Sequence, residues 1–294
     1  MEVLASSALF FVALHLVSAA VQAGGLLGTV PIEEYGLSFQ YYQQSCPQFE
    51  AVVGRKVKEW IKDYTLAPAL MRLHFLDCVV RGSERSAEAS KTLRGFEIID
   101  DIKTELEKSC LRTASCVDSL ATAARDATVS AGGPYWMVPY GCKDGRVSVA
   151  GEADKVPMGH ENITSLLQLF QSQGLNVLDL VVLSGAHTIG RRACRPVQSR
   201  LYNYKSTGKP DPTRPDPTFD NAYYKNLQRK TGLLSTDQYL YSDSRTGPLM
   251  AALATQPNVF NYQFGVSMAK LGNVQVLTGD EGEVRTDCNA GNRY

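Results

Sequence analysis

The sequence predicts a mostly α-helical protein, and three observations carry that expectation. Apolar residues recur at spacings of three and four through most of the chain. Residues that start or stop helices fall at the ends of those stretches. Strand signals are few and short, confined to the surroundings of Val147 and Val284.

In chain order, Val53, Val57, Trp60 and Ile61 share one face of the segment after Pro47. Phe96, Ile99, Ile102 and Leu106 form a second amphipathic stripe that stops near Cys110. Ser115 is placed to cap a third helix, with Val117, Leu120, Ala121 and Ala124 inside it and Gly132-Gly133-Pro134 at its end. Further helices are expected over Ile163 to Gln173 (stopped by Gly174), Val177 to Arg191 and Asn221 to Lys230. Two more follow near the C-terminus, where Pro248 and Pro257 suit a first turn. No repeat at solenoid spacing is present. Tyr204 to Phe219, rich in Lys, Pro, Asp and Thr, reads as a stiff polar loop in which Asp-Pro-Thr occurs twice.

The 294 residues carry 30 basic and 30 acidic side chains, with 44% hydrophobic residues. That is core enough for one large or two ordinary domains. A 20% charged fraction at zero net charge argues against a disordered chain. It also argues against a nucleic-acid binder, which needs a basic excess. Beyond the extreme N-terminus no apolar run reaches the roughly 18 residues of a membrane span, so no membrane partner is expected.

Residues 1–23 read as a secretory signal peptide. Ala8 to Ala20 is apolar except for His15 and Ser18, and Val21-Gln22-Ala23 supplies small residues for cleavage. The mature chain is then 24–294. Secretion changes how the seven cysteines read, since they are widely spaced and lack the close pairs of a zinc site. Disulfides are expected, and an odd count leaves at least one thiol over. Asn162-Ile163-Thr164 is a glycosylation sequon.

Two segments carry chemistry. In Leu70-Met71-Arg72-Leu73-His74-Phe75-Leu76-Asp77-Cys78, a charged Arg sits inside an apolar helix. Such a residue either has a partner or snorkels to water. In Leu183-Ser184-Gly185-Ala186-His187-Thr188, a lone His follows two small residues, where a flat cofactor could approach the backbone. Pattern alone leaves His187 as a core histidine or a metal ligand.

Leu-Ser-Gly-Ala-His-Thr-Ile-Gly, Arg-Leu-His-Phe-x-Asp-Cys, Leu-Arg-Gly-Phe-Glu-Ile-Ile-Asp, Ser-Cys-Pro at Cys46 and Phe219-Asp220-Asn221 together resemble the secreted plant haem peroxidases of class III. The similarity runs in order from about Leu37 to Cys288. It implies a two-domain helical fold with haem b between the domains, two calcium ions, disulfides and a monomer. It also implies oxidation of small phenolic donors by hydrogen peroxide.

The resemblance implies roles residue by residue. His187 matches the ligand of the haem iron, and Asp237 the carboxylate that takes its other ring N–H, making the imidazole a stronger donor. Arg72 matches the distal arginine that stabilises charge on the departing oxygen. Phe75 matches a shielding aromatic, and Pro157 a proline of the substrate channel. The first calcium site would take oxygens of Asp77, Val80, Gly82, Glu84 and Ser86. The second would take Thr188 and Asp220, with Asp211, Asp216 or Thr218 replacing ligands lost at Pro212 and Pro215. The implied disulfides are Cys46–Cys110 and Cys116–Cys288.

The departures matter as much. The family's distal base is a histidine; here that position is Leu76. Arg72 and Leu76 are four apart and share a helical face, so both are expected to look at the haem. His74 lies about 200° round from Arg72 and cannot replace the base. Ser83 stands where Cys78 would find its short-range partner. The segment after it and the one ending at Phe219 are both shortened. Cys142 stands where the family has an arginine paired with the aspartate matched by Asp118. Cys78, Cys142 and Cys194 are therefore left without the family's partners. An impaired peroxidase is expected, beside two other readings: a secreted haem-binding protein without catalysis, and the product of a decayed or misjoined reading frame.

Overall fold

The computed structural model describes residues 36–79, 90, 92–147, 156–157, 159, 161–190 and 218–292. Among them the first helical group comprises α1 (Tyr42–Ser45), α2 (Phe49–Trp60), α3 (Leu66–Val79), α4 (Phe96–Ser109) and α5 (Cys116–Ser130). The second comprises α6 (Ile163–Ser172), α7 (Val177–Ser184), a 3-10 turn (Gly185–Thr188), α8 (Ala222–Gln228), α9 (Ser235–Ser242), α10 (Gly247–Thr255) and α11 (Pro257–Gly272). Within the first group α3 lies chiefly on α5; in the second, α7 packs on α6 and α11, and α11 also reaches α3.

The expected stripes form the cores. Val53 and Val57 of α2, and Ile99, Ile102 and Leu106 of α4, are buried. Ser115 caps α5, its Oγ accepting from the Asp118 N–H at 3.1 Å. Loss of such a cap typically costs about 0.5–2 kcal/mol. Pro248 and Pro257 both occupy first turns, of α10 and α11. Asn162, the sequon residue, is exposed and caps α6, its Oδ1 accepting from the Ser165 N–H at 2.9 Å.

Both implied disulfides are formed. Cys46–Cys110 ties α1 to the end of α4, and Cys116–Cys288 ties the start of α5 to the C-terminal segment across 172 residues. Each typically contributes about 2–4 kcal/mol by restricting the unfolded chain.

Three expectations change. The segments around Val147 and Val284 hold no strand among the described residues, only the isolated bridges Lys143–Leu277 and Asp144–Glu283. The helix expected over Val177 to Arg191 narrows at Ser184 into the 3-10 turn that carries His187. Helix α9 has no counterpart in the apolar spacing, because Ser235-Thr236-Asp237-Gln238 is polar throughout. The signal peptide, residues 204–217 of the polar loop and Cys194 lie outside the described residues. Among the described residues no single helix is long and apolar enough to cross a membrane; the pair α6 and α7, extended to Thr188, passes only with a 109° bend.

Candidate functional site

His187 sits at the third position of the 3-10 turn, with its side chain 49% exposed although its neighbours on α7 are core. Its Nδ1 lies 2.9 Å from Oδ1 of Asp237 on α9. Asp237 is buried, and the same oxygen accepts a hydrogen bond from the Tyr223 hydroxyl at 3.0 Å. Burial, reinforced by the Asp237 charge, pushes the Tyr223 pKa well up, so Tyr223 remains a donor. A carboxylate can only accept, so Nδ1 carries a proton, which in the neutral tautomer leaves the lone pair on Nε2. Tyr223 also meets the imidazole edge to face, with centroids 6.0 Å apart. The sequence reading omits Tyr223; its signal is the aromatic pair Tyr223-Tyr224 just after Phe219-Asp220-Asn221.

Gly185 is required by packing. A Cβ there would lie 2.5 Å from both the Phe260 ring and the Tyr224 hydroxyl. Its smallness lets α8 and α11 close on the turn. The Tyr224 hydroxyl donates to the Val181 carbonyl at 3.1 Å, fixing α8 on α7. Asn221 holds that assembly from below, its Nδ2 donating to the carbonyls of Leu253 and Ala254 at 3.0 and 2.9 Å.

Helix α3 brings up the facing residues. Pro68, Arg72 and Phe75 lie at i, i+4 and i+7 on one stripe. Pro68 meets the second group at Gly190, where a Cβ would lie 3.4 Å from its own. Phe75 stacks on Phe170 of α6, with centroids 6.5 Å apart. Arg72 is exposed between those contacts. Its guanidinium is still hemmed by protein, which draws its pKa below the usual guanidinium value and leaves it cationic at any working pH. The Pro68–Gly190 contact ties the start of the Arg72 stripe to the residue three positions after His187.

Leu76 lies one turn on from Arg72. It is only 4% exposed and packs with the core, whereas Arg72 is exposed. An apolar side chain gains about 1.5–3 kcal/mol by full burial, whereas a guanidinium loses by it. His74 is buried and packs against Cys78, as a residue on the far side of the helix should. With burial and no charged partner, its pKa falls from 6.5 to about 4.

The expected metal ligands divide. Thr188 Oγ1 donates to Asp220 Oδ1 at 2.7 Å, so that pair is brought together; the same oxygen accepts from the Ala222 N–H at 2.8 Å. Thr218 is exposed, while Asp211 and Asp216 lie outside the described residues. Asp77 is described, and burial with the nearby Asp144 charge pushes its pKa up to about 7. Val80, Gly82, Glu84 and Ser86 lie outside the described residues. Among the described residues no group of three or more His, Cys, Asp or Glu is gathered as a metal cluster. Pro157 precedes Gly159, whose carbonyl accepts from the Ser235 hydroxyl at 3.1 Å, tying that segment to the start of α9.

A cavity of about 290 Å³ lies elsewhere, between the first helical group and the C-terminal segment, lined by Asp77, Cys78, Cys142 and Asp144 among others. It contains none of Arg72, Phe75, Leu76, His187 or Asp237. It opens beside Cys142, where the resembled family carries the much larger arginine.

Comparison with known proteins agrees with this geometry. A family model described as peroxidase matches residues 53–256. The chain is 50% identical to Peroxidase 7 of Arabidopsis thaliana, over 87% of this chain and 84% of the relative. It is 36% identical to Peroxidase 10 of the same plant, over 86% and 85%, and 40% identical to Peroxidase 1, over 86% and 91%. The chain belongs to the peroxidase family.

Proposed function

We propose that this chain is a secreted haem peroxidase, an oxidoreductase that uses hydrogen peroxide to oxidise small phenolic donors, slowed at peroxide cleavage by Leu76. The observation that supports it best is the His187–Asp237–Tyr223 arrangement. An oriented neutral imidazole with its lone pair on Nε2, on a half-exposed turn, is a donor that suits a haem iron. When bound, haem b supplies an iron able to take the two oxidising equivalents of hydrogen peroxide.

The protein's own residues do the rest. His187 would hold the iron through Nε2, with Asp237 keeping the Nδ1 proton and the ring orientation. Tyr223 fixes the Asp237 carboxylate so that it does not rotate away. Arg72 offers a fixed positive charge to the departing oxygen. Phe75 restricts access beside it, and Pro157 borders the donor's approach. Leu76 can neither accept a proton from peroxide nor return one to the leaving oxygen. Such acid–base assistance is typically worth about 10²–10⁴-fold. The two calcium sites are weakened or partly lost; one would use Asp77, Val80, Gly82, Glu84 and Ser86, the other Thr188 and Asp220.

The buried Leu76 favours a second reading, a secreted haem-binding protein without turnover. Purified protein mixed with haem separates the readings. A Soret band with measurable oxidation of a phenolic donor supports the peroxidase. A Soret band without turnover supports the binding protein. No Soret band rejects both.

A further inference from the structure

Two of the departures from the family's pattern meet at one place. Cys78 has Ser83 where its short-range partner would stand, and Cys142 replaces an arginine. Among the described residues these are the two thiols outside the disulfides. Cys78 is on α3 one turn beyond His74, with its Sγ 3.6 Å from Nδ1 and 3.8 Å from Nε2 of that ring. Cys142 follows the Gly141 turn, where its N–H donates to Asp118 Oδ1 at 3.3 Å.

Two observations place the thiols in one region. Both line the cavity of about 290 Å³. Cys142 and His74, the residue against which Cys78 packs, also line a second, small cavity. Cys142 is only 4% exposed, which closes it to cysteines of other molecules.

We propose that Cys78 and Cys142 form a third disulfide, joining α3 to the Gly141 turn and replacing the short-range bridge that Ser83 removes. The oxidant is hydrogen peroxide. One thiol, losing its proton, attacks a peroxide oxygen; the O–O bond breaks, water leaves, and a sulfenic acid remains. The second sulfur then displaces the sulfenic oxygen, forming the S–S bond and releasing a second water. Two thiols and one peroxide thus yield one disulfide and two waters. The bond requires the two Cα atoms within about 4.4–6.8 Å, so it also sets how closely α3 approaches the turn.

The test uses the full chain expressed through a secretory route, treated with hydrogen peroxide, alkylated and digested without reduction. The expected product links the tryptic peptides 73–81 and 126–143. Denatured protein should then show one free thiol of the seven cysteines, against three if only Cys46–Cys110 and Cys116–Cys288 form. Cys194→Ser should keep the cross-link and show no free thiol, and this variant leaves both proposed partners in place. Cys142→Ser should lose the cross-link and leave Cys78 open to alkylation. Alkylation of both Cys78 and Cys142 after peroxide, or a cross-link from either to Cys194, overturns the proposal.

Discussion

On the wall built from α7, the 3-10 turn, α8 and α9, each chemical group has a second group holding it. His187 is held by Asp237, Asp237 by Tyr223, and α7 by Tyr224, with Asn221 clamping the end of α10 nearby. On α3 the arrangement stops halfway: Arg72 stands exposed, but the position one turn on is a leucine folded into the core. On the proposed reading the first wall would hold an iron, while the second lacks the histidine that would move a proton. Holding a cofactor and using it would then be separable properties, coded on different helices.

The largest effect is expected where the first wall is broken. His187→Ala should abolish the haem-dependent Soret band, because it deletes the nitrogen proposed to reach the iron. An unchanged spectrum in that variant shows that another residue is the ligand.

A smaller effect sharpens the contrast within α3, between the face bearing Arg72 and the face bearing His74. The folded pKa of His74, about 4, lies below its ordinary 6.5, so the unfolded state binds more protons between those values. Its contribution is present above pH 6.5 and is lost as pH falls toward 4, by up to about 3 kcal/mol. Asp118, buried beside the small cavity that His74 lines, acts in the opposite sense. Burial raises its pKa to about 6, so protonation relieves it as pH falls from 6 to 4. Denaturant unfolding of wild type and His74→Gln at pH 6.5 and 4 should show the variant losing less stability on acidification. Equal losses contradict the assignment of a buried neutral imidazole.

The smallest effect concerns calcium. Metal bound to the native state stabilises in proportion to its affinity. With ligands changed at both sites, adding a chelator should lower the melting temperature only slightly. A large fall means the sites are stronger than proposed.

Much of the helical scaffold was legible because burial and period coincide, as in Val53 and Val57 or Ile99, Ile102 and Leu106. The short elements were not. Helix α9 is polar along its first turn and packs through Thr236, Asp237 and Leu240, which no apolar stripe announces. The 3-10 turn at Gly185 depends on Tyr224 and Phe260, which are distant in sequence. In the candidate site, His187 and Asp237 were legible through motif resemblance alone, since a lone histidine has no period. Tyr223 was missed because a tyrosine beside a tyrosine reads as core. Leu76 was placed beside Arg72 by their spacing of four, which says nothing of how far each is covered; the leucine is buried and the arginine exposed.

The central claim is that peroxide cleavage fails at one side chain on an otherwise serviceable site. Stopped-flow mixing of the haem-loaded protein with hydrogen peroxide, following the ferric haem band, tests it in wild type and Leu76→His. The variant should react faster by on the order of 10² or more, short of full family activity because the shortened segment leaves the new base poorly oriented. A wild-type protein already as fast as the variant, or a haem-bound variant with no acceleration, contradicts the claim.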